Sequence, residues 1–416
     1  MKKIIKHIIM VVSLLLMVGC GDELAQPSNE QAKGGELLVN FSSVLMKKTL
    51  IEAKLADEET TVFGYKAYKV PYTTTNEEGE EVKVSGLFVI PTGLPTAAQS
   101  LGLSMVSDDH GTIFANSRAP SVSANNNGTP DGSAIILTAL GGFATLQPDY
   151  IGFGDSVEHY HPFVLKDSLA NATVDFIKQV KIFAVDNNIT LNNQLFLTGY
   201  SEGGYAAMAT LKKIEEETTG LTVSMTAPMA GPYAVKTMAD AVLSTPKLAV
   251  PSFMANLGYA YAKANDQVLS TLINEPYASK LPTLLNGDIN RTEIDAELTV
   301  ATTGASGLFV QNFVSDYFTN ESNWFKEAVI QNNVHTWVPT TSVKLVHCQG
   351  DDVIPYAISE LTEGTMTAMG ASSVSLVPVE QTLGLDYNVT HGACAVLAYK
   401  VTTGIFGQVR KASIGY

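Results

Sequence analysis

Leu195-Phe196-Leu197-Thr198-Gly199-Tyr200-Ser201-Glu202-Gly203-Gly204-Tyr205-Ala206-Ala207-Met208-Ala209-Thr210 holds three local structures in one run. Leu195 to Leu197 is a short apolar stretch that reads as a buried strand. The alanine-rich segment from Tyr205 has the propensity and pattern of a helix. Between them, Gly199-Tyr200-Ser201-Glu202-Gly203 places a serine on a sharp strand-to-helix turn, the context in which Gly-x-Ser-x-Gly forms a nucleophile elbow. A serine so placed sits in strained backbone, and side chains at the flanking positions would collide with the neighbouring strand and helix. Gly199, Gly203 and Gly204 remove those collisions. The helix start directs backbone N–H groups to the space above the Ser201 hydroxyl, where negative charge develops in acyl transfer. The alternative is a tight glycine turn whose serine only caps a helix.

Upstream of the elbow, residues 62–73 and 82–91 alternate in the manner of strands around the polar turn Asn76-Glu77-Glu78-Gly79-Glu80, which predicts an antiparallel hairpin at the domain edge. Leu101 to Val106 is the next strand, and it runs into Ser107-Asp108-Asp109-His110-Gly111-Thr112. The asparagine-rich residues 123–128 read as a loop. Thr129-Pro130-Asp131 caps a helix over 132–140 with proline in its first turn. Phe143 to Gln147 is a buried strand ending in Pro148-Asp149-Tyr150-Ile151-Gly152-Phe153-Gly154. Asp149 precedes the serine and reads as a structural loop residue. His159 and His161, with Glu158 beside them, lack a further ligand at helical spacing, so no metal is expected there. Apolar residues at 170, 174, 177, 180 and 184 mark one helical face. Strand, helix, strand, helix, strand is the order of an α/β chain with a mostly parallel sheet and right-handed crossovers.

Downstream, Leu221 to Met229 is a further strand. Residues 235–340 then change character, with helical patterns over 235–243, 251–264, 267–273, 293–298, 308–318 and 324–334, many aromatic residues and no strong strand. Such an insertion can cover a pocket and set what enters it. Strands resume at 342–347 and 373–379. The first ends in Cys348-Gln349-Gly350-Asp351-Asp352-Val353-Ile354-Pro355. The second is followed by Val389-Thr390-His391-Gly392-Ala393-Cys394 and a helix to about Thr403. Ser201, Asp351 and His391 therefore occur in that order, each in a loop past a strand, as a nucleophile, orienting acid and general base can. Asp351, four residues before Pro355, is preferred to its neighbour Asp352.

The ends carry other information. Met1-Lys2-Lys3-Ile4-Ile5-Lys6, an apolar run to Gly19 and then Cys20 make a secretory signal over 1–19. Met17-Val18-Gly19-Cys20 resembles a bacterial lipobox, which implies lipidation of Cys20 and an exported lipoprotein anchored to the cell envelope, at the outer membrane or cell surface. Residues 20–35 read as a flexible tether. The formal net charge is −15; removal of residues 1–19 takes three lysines and no acid, giving −18. A surface so acidic repels phosphate backbones, so nucleic acid is not an expected partner.

His110-Gly111-Thr112, Pro148 to Gly154, Gly199 to Gly204, Gly350 to Pro355 and His391 to Cys394 together resemble the secretory lipase family of α/β-hydrolases. The resemblance runs from about residue 36 to the C-terminus. It implies the α/β-hydrolase fold, a mostly parallel twisted sheet with helices on both faces and a helical cap insertion at about 235–340. It implies a serine carboxylic-ester hydrolase, lipase or esterase, without a cofactor or metal, acting on a small-molecule or lipid ester through an acyl-enzyme. Ser201, Asp351 and His391 would be its triad, and the N–H groups of Glu202 with Gly111 and Thr112 its oxyanion hole. Glu202 departs from the glutamine more familiar in that family, and its carboxylate would disfavour an oxyanion unless it points away or is neutralised. The acid and base loops must meet for such a triad to work. Cys348, three residues before Asp351, and Cys394, three after His391, are therefore expected to pair as a disulfide in an oxidising compartment. Two other functions fit less well. A serine peptidase of the prolyl oligopeptidase type would need a propeller or a carboxylate site for a peptide amine. A non-catalytic ligand-binding surface lipoprotein would not need the complete triad spacing.

Overall fold

The computed structural model describes residues 31–416. The signal sequence, Cys20 and most of the expected tether lie outside the described residues. Ten strands form one sheet: β1 (Gln31–Ala32), β2 (Gly35–Phe41), β3 (Gly64–Thr75), β4 (Glu81–Thr92), β5 (Leu103–Asp109), β6 (Ala144–Pro148), β7 (Leu191–Tyr200), β8 (Met225–Met229), β9 (Val343–His347) and β10 (Val374–Pro378). Their order is β1-β2-β3-β4-β6-β5-β7-β8-β9-β10. The first four strands and β6 pair antiparallel, and the pairs from β6 through β10 are parallel. From β5 the chain first builds outward to β6 and then returns to lay β7 on the other side. That reversal opens a crevice at the carboxyl ends of β5 and β7, where ligands bind in open α/β sheets.

Side-chain alternation makes two cores. On β7, Leu195 and Leu197 point to one face and Phe196 to the other. The first face packs under helices Lys166–Asp186 and Glu202–Glu216, through Phe176, Ile177, Val180, Met208 and Leu211. The second face, with Val106, Phe196, Ala227 and Val346, is covered by Ala398, Val401 and Phe406 of helix His391–Ile414. Helices on both faces explain why β5 and β7 read as apolar runs.

Several expectations are corrected. The β3–β4 hairpin is not at the edge, because β2 pairs outside it. Pro120–Asn127 is a helix, which takes in most of the expected loop over 123–128; Pro120 starts it and Gly128, at φ 64°, ends it. Asp131 caps the next helix by accepting from Ala134 N–H, so Pro130 lies before the cap and not in the first turn. Only Leu269–Thr271, a single 3₁₀ turn, forms within 267–273, and a helix the pattern did not suggest, Tyr277–Leu284, contains Pro282. The last helix continues to Ile414, well past Thr403.

Between β8 and β9, six helices stand among the described residues. Their aromatic residues mostly pack on one another: Phe325 meets Tyr261 at 5.5 Å, Phe313 at 5.9 Å and Tyr317 at 6.0 Å between ring centroids.

The elbow joins β7 to helix Glu202–Glu216. Ser201 has φ 61° and ψ −121°, a conformation that costs a non-glycine residue about 1–3 kcal/mol. Burial of Met208, Leu211 and Ile214 on the same helix, at about 1.5–3 kcal/mol each, outweighs that strain. A Cβ on Gly203 would lie 1.8 Å from the Asp109 carbonyl oxygen, and one on Gly199 would lie 2.4 Å from the same atom. Because the obstacle at Gly203 is backbone of a central strand, it cannot move aside. Gly203→Ala is expected to destabilise the protein by about 3 kcal/mol. A urea unfolding midpoint equal to that of the wild type would contradict this packing.

Candidate active site

Three chain segments converge at the carboxyl edge of the parallel strands. Ser201 stands on the elbow after β7, Asp351 in the turn after β9, and His391 at the first position of the C-terminal helix. The His391 Nδ1–Asp351 Oδ2 distance is 2.6 Å and the His391 Nε2–Ser201 Oγ distance is 3.0 Å. An ionised carboxylate only accepts hydrogen bonds, so Nδ1 carries the proton and Nε2 is left to accept from the serine hydroxyl. The structure thus brings Ser201, His391 and Asp351 into one hydrogen-bonded line.

The Asp351 side chain is fully buried, and its charge is met by several donors. Besides His391, its carboxylate accepts from His347 Nε2 at 3.1 Å and from the backbone N–H groups of Val353 and Ile354 at 2.9 and 2.8 Å. Burial alone would raise its pKa. The hydrogen bonds from His347, His391 and Val353 and the charge of His391 outweigh burial and hold the carboxyl well below the ordinary value. Asp352 does a different job: its Oδ1 accepts from the backbone N–H of His391 at 2.9 Å. A negative side chain at that helix N-terminus also suits the helix dipole. Tyr200 fixes the same residue from the other side, its hydroxyl donating to the His391 carbonyl at 2.7 Å.

The elbow helix begins at Glu202, whose N–H has no partner within the helix. Gly111 abuts the elbow, since a Cβ there would lie 2.9 Å from Tyr200 O and 3.7 Å from Ser201 Cβ. Thr112 lines the same cavity as Ser201 and Glu202. His110 is buried behind them between Gly111 O and Asp149 O, its ring 4.3 Å from that of Tyr150. The Asp149 carboxylate is bound by Ser85 and Ser121, as in a loop-holding residue.

The cavity over Ser201, counted together with its solvent-open mouth, spans about 590 Å³. Its walls are apolar, including Val235, Met238, Val242, Phe253, Met254 and Leu257 from the helical insertion. Glu202 is the one residue with an acidic or basic side chain among the described lining residues. Its carboxylate turns to His161, with Oε1 2.7 Å from Nε2. Among the described residues no group of three or more His, Cys, Asp or Glu side chains could hold a metal, and no helix is long and apolar enough to cross a membrane.

No protein-family model and no curated protein matches the chain. Solved structures do. A presumptive hydrolase from Legionella pneumophila is 24% identical with a TM-score of 0.79, over 92% of this chain and 99% of its own. The rice cell wall degrading esterase LipA from Xanthomonas oryzae, in a ligand-bound form, is 21% identical with a TM-score of 0.74, over 92% of this chain and 98% of its own. Candida antarctica lipase A is 15% identical with a TM-score of 0.56, over 79% and 73%. The fold is that of the α/β-hydrolases.

Within this α/β-hydrolase fold, two residues near the serine were not foreseen in their roles. His347 gave no signal beyond standing at a strand end four residues before Asp351. In sequence His161 offers only a metal-ligand spacing with His159, and its pairing with Glu202 depends on how the loop over 149–163 folds back. Cys348 and Cys394 are joined, with their Cα atoms 6.1 Å apart, tying the turn that carries Asp351 to the helix that carries His391. Their separation of 46 residues makes the link worth about 4 kcal/mol by loop-closure entropy. A Cys348→Ser/Cys394→Ser variant is expected to lose about that much stability in urea. Equal stability of the variant and the oxidised wild type would contradict a structural role for the link.

Proposed function

We propose that the protein is a serine carboxylic-ester hydrolase. The observation that carries this reading is the Ser201–His391–Asp351 hydrogen-bonded line at the foot of an apolar cavity. Ser201 Oγ attacks the ester carbonyl while His391 Nε2 takes its proton. The backbone N–H of Glu202, with that of Gly111 or Thr112, receives the developing oxyanion. His391 then returns the proton to the departing alcohol, leaving an acyl group on Ser201, and water repeats the sequence to release the acid. Asp351 keeps the Nδ1 proton in place and offsets the imidazolium charge. Its four hydrogen bonds hold it ionised throughout.

The cavity argues for an apolar acyl or alcohol group. Its flexible Met238 and Met254 side chains can adapt to more than one chain shape. A peptidase that anchors a peptide amine would need a free carboxylate at the cavity wall. Among the described lining residues Glu202 is the one candidate, and it is engaged with His161. A purely ligand-binding role leaves unexplained why a strained serine, an imidazole and a buried carboxylate are aligned at hydrogen-bond distances.

Ser201→Ala is expected to lower kcat on nitrophenyl esters by about 10⁶-fold and Asp351→Asn by about 10⁴-fold. Asp352→Asn should cost far less, because an amide oxygen still accepts from the His391 N–H. Undiminished hydrolysis by Ser201→Ala would overturn the reading, and the reverse ranking of the two aspartates would overturn the assignment of the acid. Leu257→Trp should shift preference toward shorter acyl chains in a chain-length series. An unchanged series would remove this cavity from substrate binding.

A further inference from the structure

Glu202 combines two opposed properties at one position. Its N–H is the first free donor of the elbow helix, and its side chain is a carboxylic acid lining the cavity beside Ser201. A negative charge there would oppose an oxyanion through a short path with little water to screen it. The side chain is 1% exposed and its imidazole partner His161 is 7% exposed.

The hydrogen bonds fix the proton count of this pair. His161 Nδ1 lies 3.0 Å from the Ile151 carbonyl, which can only accept, so Nδ1 bears a proton. His161 Nε2 lies 2.7 Å from Glu202 Oε1, and a contact that short needs a second proton between the two atoms. Whether the proton is drawn on nitrogen or oxygen, imidazolium with carboxylate or imidazole with carboxylic acid, the sum of charges is zero. Glu202 Oε2 is buried and finds no hydrogen-bond partner among the described residues. A lone buried carboxylate in that state is costly, so the proton is retained.

The imidazole is built into place. Its ring packs 4.9 Å from Phe153, 6.0 Å from Tyr150 and 6.2 Å from Phe163. Gly152 lets the loop close on itself, since a Cβ there would lie 2.7 Å from His161 Cα. His110, which shares the Tyr150 ring with His161, turns its two ring nitrogens to the Gly111 and Asp149 carbonyl oxygens and not to Glu202. Tyr150 on the same loop and Tyr205 on the elbow helix are phenols that burial raises well above their ordinary value, so both stay neutral. Asp109 at the end of β5 is itself raised by burial, with a hydrogen bond from Thr173 offsetting part of the rise. Across Ser201 stands His391, whose own partner is Asp351.

We propose that His161 is a positioning residue that holds Glu202 in a neutral pair and so keeps the oxyanion site free of net negative charge. The proposal rests on the ester-hydrolase reading. With the imidazole gone, Glu202 is anionic at alkaline pH and neutral only once the pH falls far enough to protonate it. The catalytic defect should therefore be greatest at high pH.

The test is kcat of the full chain on a nitrophenyl ester from pH 6 to pH 10, for wild type, His161→Gln and His161→Gln/Glu202→Gln. Glutamine at 161 can still donate to the carboxylate but cannot neutralise it. The ratio of His161→Gln to wild type is expected to fall to about 1 in 10–100 at pH 9 and to rise as the pH is lowered. The double variant, with no carboxylate to ionise, should regain most of the loss at pH 9 and show a flat ratio. A ratio independent of pH in the single variant, or a double variant no better than the single, overturns the inference and leaves the ester-hydrolase reading standing. Wild type without hydrolysis overturns both. A second readout needs no His161 variant: one downfield imidazole proton resonance of the wild type should vanish in Glu202→Gln, and persistence of all of them also overturns the pair.

Discussion

A serine at φ 61° on the end of a strand stays there because backbone closes on it from several directions. The Asp109 carbonyl at the end of β5 sits against Gly199 and Gly203, and the Met229 carbonyl at the end of β8 sits against Gly204 and accepts from the Ser201 N–H at 2.9 Å. These contacts are possible only without Cβ atoms at the three glycines. They lock β5, β7, β8 and the elbow helix into a single relation, and every other group at the site is placed relative to it. The loop with Gly111 and Thr112 follows β5, the serine follows β7, and the turn with Asp351 follows β9 next to β8. Strain at one residue is thus the local cost of bringing the carboxyl ends of central strands to one point.

Two imidazole–carboxylate pairs flank the serine, and they differ in setting. Asp351 accepts four hydrogen bonds, from His391, His347, Val353 and Ile354, and is held as an anion. That charge can balance a proton arriving on His391. Glu202 accepts one, from His161, with its second oxygen unpartnered among the described residues. On the proposed reading, the first pair gains a positive charge during reaction and the second carries none. The same two residue types serve opposite electrical purposes because one carboxylate is surrounded by donors and the other by rings.

Much of this was legible in the sequence. Alternating and continuous apolar runs located the strands from β3 to β10 to within a few residues, and the order of Ser201, Asp351 and His391 could be read from loops after strands. What failed was local or long-range. Ala124 apart, residues 123–127 are poor helix formers, yet Pro120 starts and Gly128 stops a helix there. The strands β1 and β2 lie outside the hairpin that the pattern put at the edge, because pairing to β3 is decided by tertiary contact and not by local periodicity. Most aromatic residues of the insertion fill its own core, and the cavity wall draws instead on Val235, Met238, Val242, Met254, Leu257 and the single aromatic Phe253. His347 and His161 sit beside carboxylates through turns whose shape no spacing rule encodes. The question raised by Glu202 was visible in the sequence, and the answer, a histidine 41 residues earlier, was not.

The central claim is that Ser201 is a nucleophile activated by His391. Reaction of the folded protein with a fluorophosphonate, followed by mass spectrometry of its peptides, tests it most directly. The account predicts one phosphonyl adduct per chain, on the peptide carrying Ser201, formed rapidly by wild type and lost on denaturation or in His391→Ala. An unmodified Ser201, or an adduct that forms equally well without His391, would contradict it.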